Sequence, residues 1–167
     1  MGSAILADLL EKLYRQYYSE ALLYALSLCR DRQLAEELVQ EAFVRAYLSL
    51  GDDAPSFPYW LMKVCRNLYY DHARRQKFLT DAPIPERADN TTPESVLLEK
   101  EETTALFRAM GQLEVTEREL IALHYFAARP IHELADILGL PYAAARQKLR
   151  RARMKLRRLM EEDSYEI

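Results

Sequence analysis

Apolar residues recur every three to four positions over most of the chain, and that period predicts one helix after another. Leu9, Leu10, Leu13, Tyr17, Leu22 and Leu28 form a first stripe, and Leu34, Leu38, Val39, Phe43 and Tyr47 a second, so Ile5 to Tyr47 reads as two amphipathic helices. Asp31, between the stripes, carries the short acceptor side chain of an N-cap. Gly51 to Pro58 breaks the period with a glycine and two prolines and reads as a loop. A third helix is predicted from about Tyr59 to Lys77, with Trp60, Leu61, Val64, Leu68 and His72 on one side. From Leu79 to Pro93 the period disappears among prolines, threonines and scattered charges, which predicts an extended linker. Helical pattern returns at about 94–110, 116–127, 131–138 and 142–161. The expected fold is all-α: two small helical domains, 1–78 and 94–167, joined by a flexible linker over 79–93, the second ending in a helix-turn-helix.

That last expectation rests on Ile131 to Arg153. Helix, glycine-bearing turn and helix follow one another, and Gly139 supplies the positive φ at no Cβ cost. Ala135 is small where the two helices would cross. Ala145, Leu149, Ala152 and Leu156 make a narrow apolar stripe on the second helix, and its other faces carry cations. Such a helix fits the major groove of DNA, its first turns at base edges and its flanking cations on phosphates. The plainer reading is a terminal helix with a solvated basic face. Against it stand the glycine turn, the small crossing residue and the lack of any acid to pair these cations at i+4.

Composition changes the picture in one respect. The 167 residues are 50% hydrophobic and 29% charged, with four glycines, as befits an ordinary helical globular protein. The net charge of −3 taken alone opposes nucleic acid, but it is unevenly distributed. Arg146, Lys148, Arg150, Arg151, Arg153, Lys155, Arg157 and Arg158 lie in a stretch with no acid between Asp136 and Glu161. The acids gather at Glu36, Glu37 and Glu41, at Asp52 and Asp53, between Glu86 and Glu102, and at the C-terminus. Such segregation predicts a DNA-facing end, other surfaces for other partners, and weak DNA binding by the chain alone.

Other chemistry is sparse. Cys29 and Cys65 are far apart and outside any CxxC spacing, so two reduced core thiols are expected, with a redox pair as the alternative. His124 and His132 lack a metal-ligand partner at helical spacing. There is no Ser/His/Asp set, paired-carboxylate motif or glycine-rich phosphate loop, so neither an enzyme nor a cofactor or metal is predicted. No apolar run approaches the roughly 20 residues of a membrane span, and the first residues have no basic n-region, which predicts a cytoplasmic protein. The third helix mixes Tyr59, Trp60, Arg66, Tyr69, Tyr70, Arg74 and Arg75. Rings and cations together suit a single strand of DNA. Much of the set is equally consistent with a packed core, Trp60 above all.

Taken together, AEELVQEAFVRAY, the F-x-x-W-L segment at Phe57–Leu61, RNLYYDHARR and the closing helix-turn-helix ending in RRARMKL resemble the extracytoplasmic-function (group 4) sigma factors of bacterial RNA polymerase. The resemblance runs from about Leu13 to Leu159. It implies a factor that directs core polymerase to specific promoters and promotes transcription initiation in a stress or envelope response. Glu37, Leu38, Gln40, Glu41 and Phe43 are similar to the surface that docks on the clamp helices of the largest polymerase subunit. Asp52, Asp53, Ser56, Phe57, Arg66, Asn67, Tyr70, Asp71, Arg74 and Arg75 are similar to the part that melts the −10 element and captures a flipped base. Arg146, Gln147, Arg150 and Arg151 match recognition-helix positions for the −35 element, and Lys148 and Arg153 resemble its phosphate contacts. The helix with Leu120, Leu123 and Phe126 resembles the segment that packs on the flap of the second-largest subunit. The implied partners are core polymerase, promoter DNA and an anti-sigma factor, with no direct membrane insertion.

The chain departs from the family's usual pattern at three places. The loop between Tyr47 and Trp60 is shorter and carries two prolines; Ala143-Ala144-Ala145 stands where Gly-Thr-Val is frequent; and Arg150 stands where a small or aromatic residue is frequent. Arginine reads guanine O6 and N7 bidentately, so Arg150 is expected to favour a guanine. Two other classes compete with this reading. A conventional helix-turn-helix regulator would bind duplex DNA alone, usually as a dimer on a palindrome. An interaction-only adaptor would hold a partner without opening a promoter. The aromatic and basic third helix argues against the first, and the basic recognition helix against the second.

Overall fold

The computed structural model describes residues 2–49, 56–80 and 101–165, and among them every regular element is helical. Helix α1 (Gly2–Cys29) ends where Arg30 takes a left-handed φ of 55° and its N–H reaches the Leu26 carbonyl at 2.8 Å. Asp31 then starts α2 (Arg32–Ser49) as the pattern predicts: its Oδ1 accepts the Gln33 and Leu34 N–H groups at 3.1 and 3.4 Å. Helix α3 (Phe57–Thr80) begins earlier than the predicted Tyr59. Pro58 falls in its first turn, where a missing N–H is no loss, so this proline belongs to the helix. The third helix also runs to Thr80, into the stretch read as linker, and the remainder of that stretch lies outside the described residues.

In the C-terminal half, α4 (Glu101–Met110) and α5 (Val115–Ile121) are followed by a π-helical turn at Ala122–Phe126. Its mark is the wide bond from the Ala127 N–H to the Ala122 carbonyl, 3.1 Å. The helix expected at about 116–127 is present, with one turn of wider winding as its second half. Helix α6 (Ile131–Leu138) and the long α7 (Tyr142–Tyr165) complete the chain. Between them Gly139 sits at φ 66°, ψ 36°, and the Leu140 N–H returns to the Ala135 carbonyl at 2.8 Å, closing a glycine-type helix stop. A Cβ at Gly139 would meet nothing within 4 Å, so a side chain there costs backbone strain alone. Gly139→Ala is expected to lower stability by about 1–2 kcal/mol, and Gly139→Asn by less, since asparagine tolerates this conformation. Thermal unfolding of the two variants checks the order.

The stripes of the two halves meet in one apolar cluster. Tyr24, Leu26, Leu61, Met62 and Cys65 come from the N-terminal half, and Met110, Leu120, Ile121, Leu123, Leu134 and Leu149 from the other. Helix α1 is the seam: it packs on α2 and α3 on one side, and on α5 and the π turn on the other. Ala21 and Ala25, both fully buried, keep α1 slim enough to be covered on both sides. Cys29 and Cys65 are free thiols, and burial pushes each up to about 12, well above the neutral range where a thiolate would form. No helix among the described residues is long and apolar enough to cross a membrane, and no group of His, Cys, Asp and Glu among them is placed to hold a metal ion.

Candidate nucleic-acid interface

Helix α7 is seated by its small and apolar positions. Ala145, Leu149 and Ala152 are buried against α5 and α6, Leu156 is half-buried, and Ala135 on α6 is buried where it packs towards α7. Fixing this stripe inward leaves Arg146, Gln147, Lys148, Arg150, Arg151 and Arg153 exposed. Among the described residues Arg146, Lys148, Arg150 and Arg151 have no carboxylate partner, so their charge is available to an anion. Further along, Arg153, Lys155 and Arg157 are already engaged. Arg153 donates to the Tyr125 hydroxyl at 3.1 Å, Lys155 pairs with Glu117 at 3.4 Å, and Arg157 pairs with Glu161 at 3.4 Å. This corrects the impression of an unbroken cationic helix. Free charge is concentrated in its first turns, where a groove-docked helix meets base edges and the nearest phosphates.

The α3 residues divide differently. Asn67, Arg74 and Arg75 are exposed, and Arg74 pairs with Asp71 one turn earlier. Ser56 is exposed and its carbonyl accepts the first α3 bond, from Trp60, at 3.0 Å. Phe57 is half-buried in an aromatic group, its ring 5.9 Å from both Trp60 and Phe43 and 5.8 Å from Tyr17. Asp52 and Asp53 lie outside the described residues. Arg66 and Tyr70 are turned towards the other half. Arg66 Nε donates to Glu119 Oε1 at 2.8 Å, and the Tyr70 hydroxyl donates to Glu119 Oε2 at 3.1 Å. The guanidinium of Arg66 also lies over the Tyr70 ring, 4.8 Å from its centre. Burial works against the Arg66 charge, but Glu119 outweighs it and leaves that guanidinium harder to deprotonate. Burial, reinforced by the Glu119 charge, pushes the Tyr70 hydroxyl up to about 12.

On α2, Glu37, Gln40 and Glu41 are exposed, Glu41 bridging to Arg45. Leu38 and Phe43 point inward and serve the core; Val44, Tyr47 and Leu48 are the exposed apolar side chains of that helix. In the C-terminal half Leu120 and Leu123 are fully buried, whereas Phe126 stacks on Phe107 with ring centres 5.6 Å apart. Phe126 also lines an apolar groove of ≈ 890 Å³ with Leu106, Leu156 and Met160, rimmed by Arg153 and Arg157. Glu119 and Tyr24 escaped the sequence reading: an acid on an amphipathic helix looks solvated, and no local signal announces a partner many residues away.

Comparison with known proteins accounts for both halves. Residues 13–78 match the model of sigma-70 region 2, and residues 103–156 that of sigma-70 region 4. The chain is 29% identical over 154 residues to the ECF RNA polymerase sigma factor SigM of Bacillus subtilis, covering 90% of this chain and 94% of SigM. It is 34% identical over 142 residues to the probable RNA polymerase sigma factor RfaY of Xanthomonas campestris, covering 80% of this chain but 36% of RfaY. Among solved structures, CnrH in complex with the cytosolic domain of CnrY superposes with a TM-score of 0.67 at 25% identity, covering 96% of each chain. With region 2 built on α1–α3, region 4 on α4–α7 and sigma-factor relatives aligned along nearly all of it, the chain belongs to the sigma-70 family, as an RNA polymerase sigma factor of the extracytoplasmic-function type.

Proposed function

We propose that this sigma factor acts as a group 4 factor in the cytoplasm, reading the −35 element with α7 and the melted −10 element with α3 and the loop before it. The observation that carries the reading is the set of unpaired cations on the first turns of α7, beside a second aromatic and basic helix in region 2. Duplex recognition needs the first, and a splayed single strand needs the second. Neither demands covalent chemistry. In this reading region 2 also holds core polymerase, with Glu37, Gln40 and Glu41 facing the clamp helices and Leu38 and Phe43 supporting their helix from within. The groove at Phe126 is the site for the flap. The domain boundaries proposed are 1–78 for region 2 and 94–167 for region 4, with 79–93 as the connection. CnrH is bound by the cytosolic domain of CnrY, and a protein inhibitor of that kind is proposed here as well, with release in a stress or envelope response.

Permanganate probing of promoter thymines tests the reading. Core polymerase with this chain should make thymines of the −10 element reactive, and core polymerase alone should not. A chain that binds duplex DNA without polymerase and opens nothing would instead be a conventional regulator. Within the same assay Arg150→Ala is expected to cost about 1–3 kcal/mol at one upstream base pair and to relax the preference there. A base-substitution scan checks this; an equal loss at every position would make Arg150 a phosphate contact.

A further inference from the structure

Three donors of region 2 converge on one carboxylate of region 4. Glu119 is buried, at 2% exposure, and accepts from Tyr24 at 3.0 Å, from Arg66 at 2.8 Å and from Tyr70 at 3.1 Å. Burial and the Glu119 charge together push the Tyr24 hydroxyl well above its usual range, so it remains a donor at any ordinary pH. The rim of the same contact is polar too. Tyr59 on α3 donates to Asp136 on α6, and burial raises the carboxyl of Glu20 on α1, an effect that the nearby Arg129 charge offsets only in part. Next to Glu119 a cleft of ≈ 800 Å³, lined by Arg30, Tyr70, Arg118 and Lys155, opens the contact to water.

We propose that Glu119 locks region 4 onto region 2, and that the melted promoter strand competes with Glu119 for Arg66 and Tyr70. The proposal rests on the assignment of the α3 face to the melted strand. A phosphate drawn to Arg66 is repelled by the Glu119 carboxylate beside the same guanidinium, so DNA binds there more favourably once Glu119 is displaced. Displacement is feasible because Glu119, Arg66 and both tyrosines all find water once the halves part, and the cleft admits it. The lock leaves the first turns of α7 exposed. The closed chain therefore keeps its duplex-reading surface and hides part of its single-strand surface. Weak DNA binding by the free factor then follows from a specific contact as well as from its acidic faces.

The test uses the full chain without polymerase, as Tyr24→Phe and Glu119→Gln variants. Tyr24→Phe removes a single hydroxyl and keeps the ring in its place, and circular dichroism checks folding in both. Small-angle scattering should show both variants more expanded than the wild type. Fluorescence anisotropy with a labelled single-stranded −10 oligonucleotide should show affinity raised about two- to tenfold for Tyr24→Phe, the range of one net hydrogen bond, and more for Glu119→Gln. Affinity for a −35 duplex should stay unchanged. Unaltered dimensions in both variants overturn the lock, and expansion without a gain in single-strand affinity overturns the competition. The underlying assignment is tested separately: if Arg66→Ala leaves permanganate reactivity in the holoenzyme unchanged, α3 does not read the melted strand, while the scattering result still decides whether Glu119 holds the halves together.

Discussion

Replacing Leu149 with alanine is expected to destabilise region 4 by about 2–5 kcal/mol and to abolish upstream recognition with it. Leu149 is 1% exposed and sits mid-stripe on α7, between the buried Ala145 and Ala152. Its neighbours on the stripe are too small to close the void, so the cavity would persist. The consequence reaches function because this stripe alone sets which face of α7 turns outward. A loosened seat lets Arg146 and Arg150 point anywhere, and base reading needs them fixed. Thermal unfolding should show the stability loss, and footprinting of the holoenzyme should show upstream protection lost. By contrast, Arg146→Ala should leave the unfolding midpoint unchanged within error while weakening promoter binding, because its side chain is exposed.

The second large effect is electrostatic. Converting Arg146, Lys148, Arg150 and Arg151 together to alanine removes the cations on the first turns of α7, none of which has a carboxylate partner among the described residues. For each one that neutralises a phosphate, the slope of log affinity against log salt should become shallower by about 0.9. Holoenzyme titrations on promoter DNA from low to physiological salt measure it, and the loss of affinity should be greatest at low salt. Converting Lys155 and Arg157 instead should change the slope little, since Glu117 and Glu161 already hold them. If the two sets change the slope equally, the division of α7 into free and engaged turns is wrong.

Much of this was legible from residue pattern. Every predicted helix within the described residues exists, because a 3.6-residue apolar period over a glycine-poor chain has few other ways to bury itself. Asp31 and Gly139 marked their boundaries through chemistry confined to two or three neighbouring residues. The start of α3 was misplaced because a proline signals a break and a first helical turn alike. The π turn at Ala122–Phe126 left no trace in the period, since one wider turn shifts a stripe by a single position. For the candidate site, the outward face of α7 followed directly from its stripe. The split of α3 did not: Asn67 and Arg75 are open, whereas Arg66 and Tyr70 are held by Glu119, 53 and 49 residues away. Pairing at that range depends on how the two halves meet, and neither half's own pattern records it. Leu38 and Phe43 show the same ambiguity, because the stripe that fills a core and the patch that docks a partner use the same residue types.

The most direct test is run-off transcription with core polymerase and this chain on a promoter library randomised across both elements. Transcripts should depend on the chain and share two sequence elements, one upstream read by α7 and one at the melted region read by α3. Chain-independent transcripts, or transcripts sharing no upstream element, would contradict it.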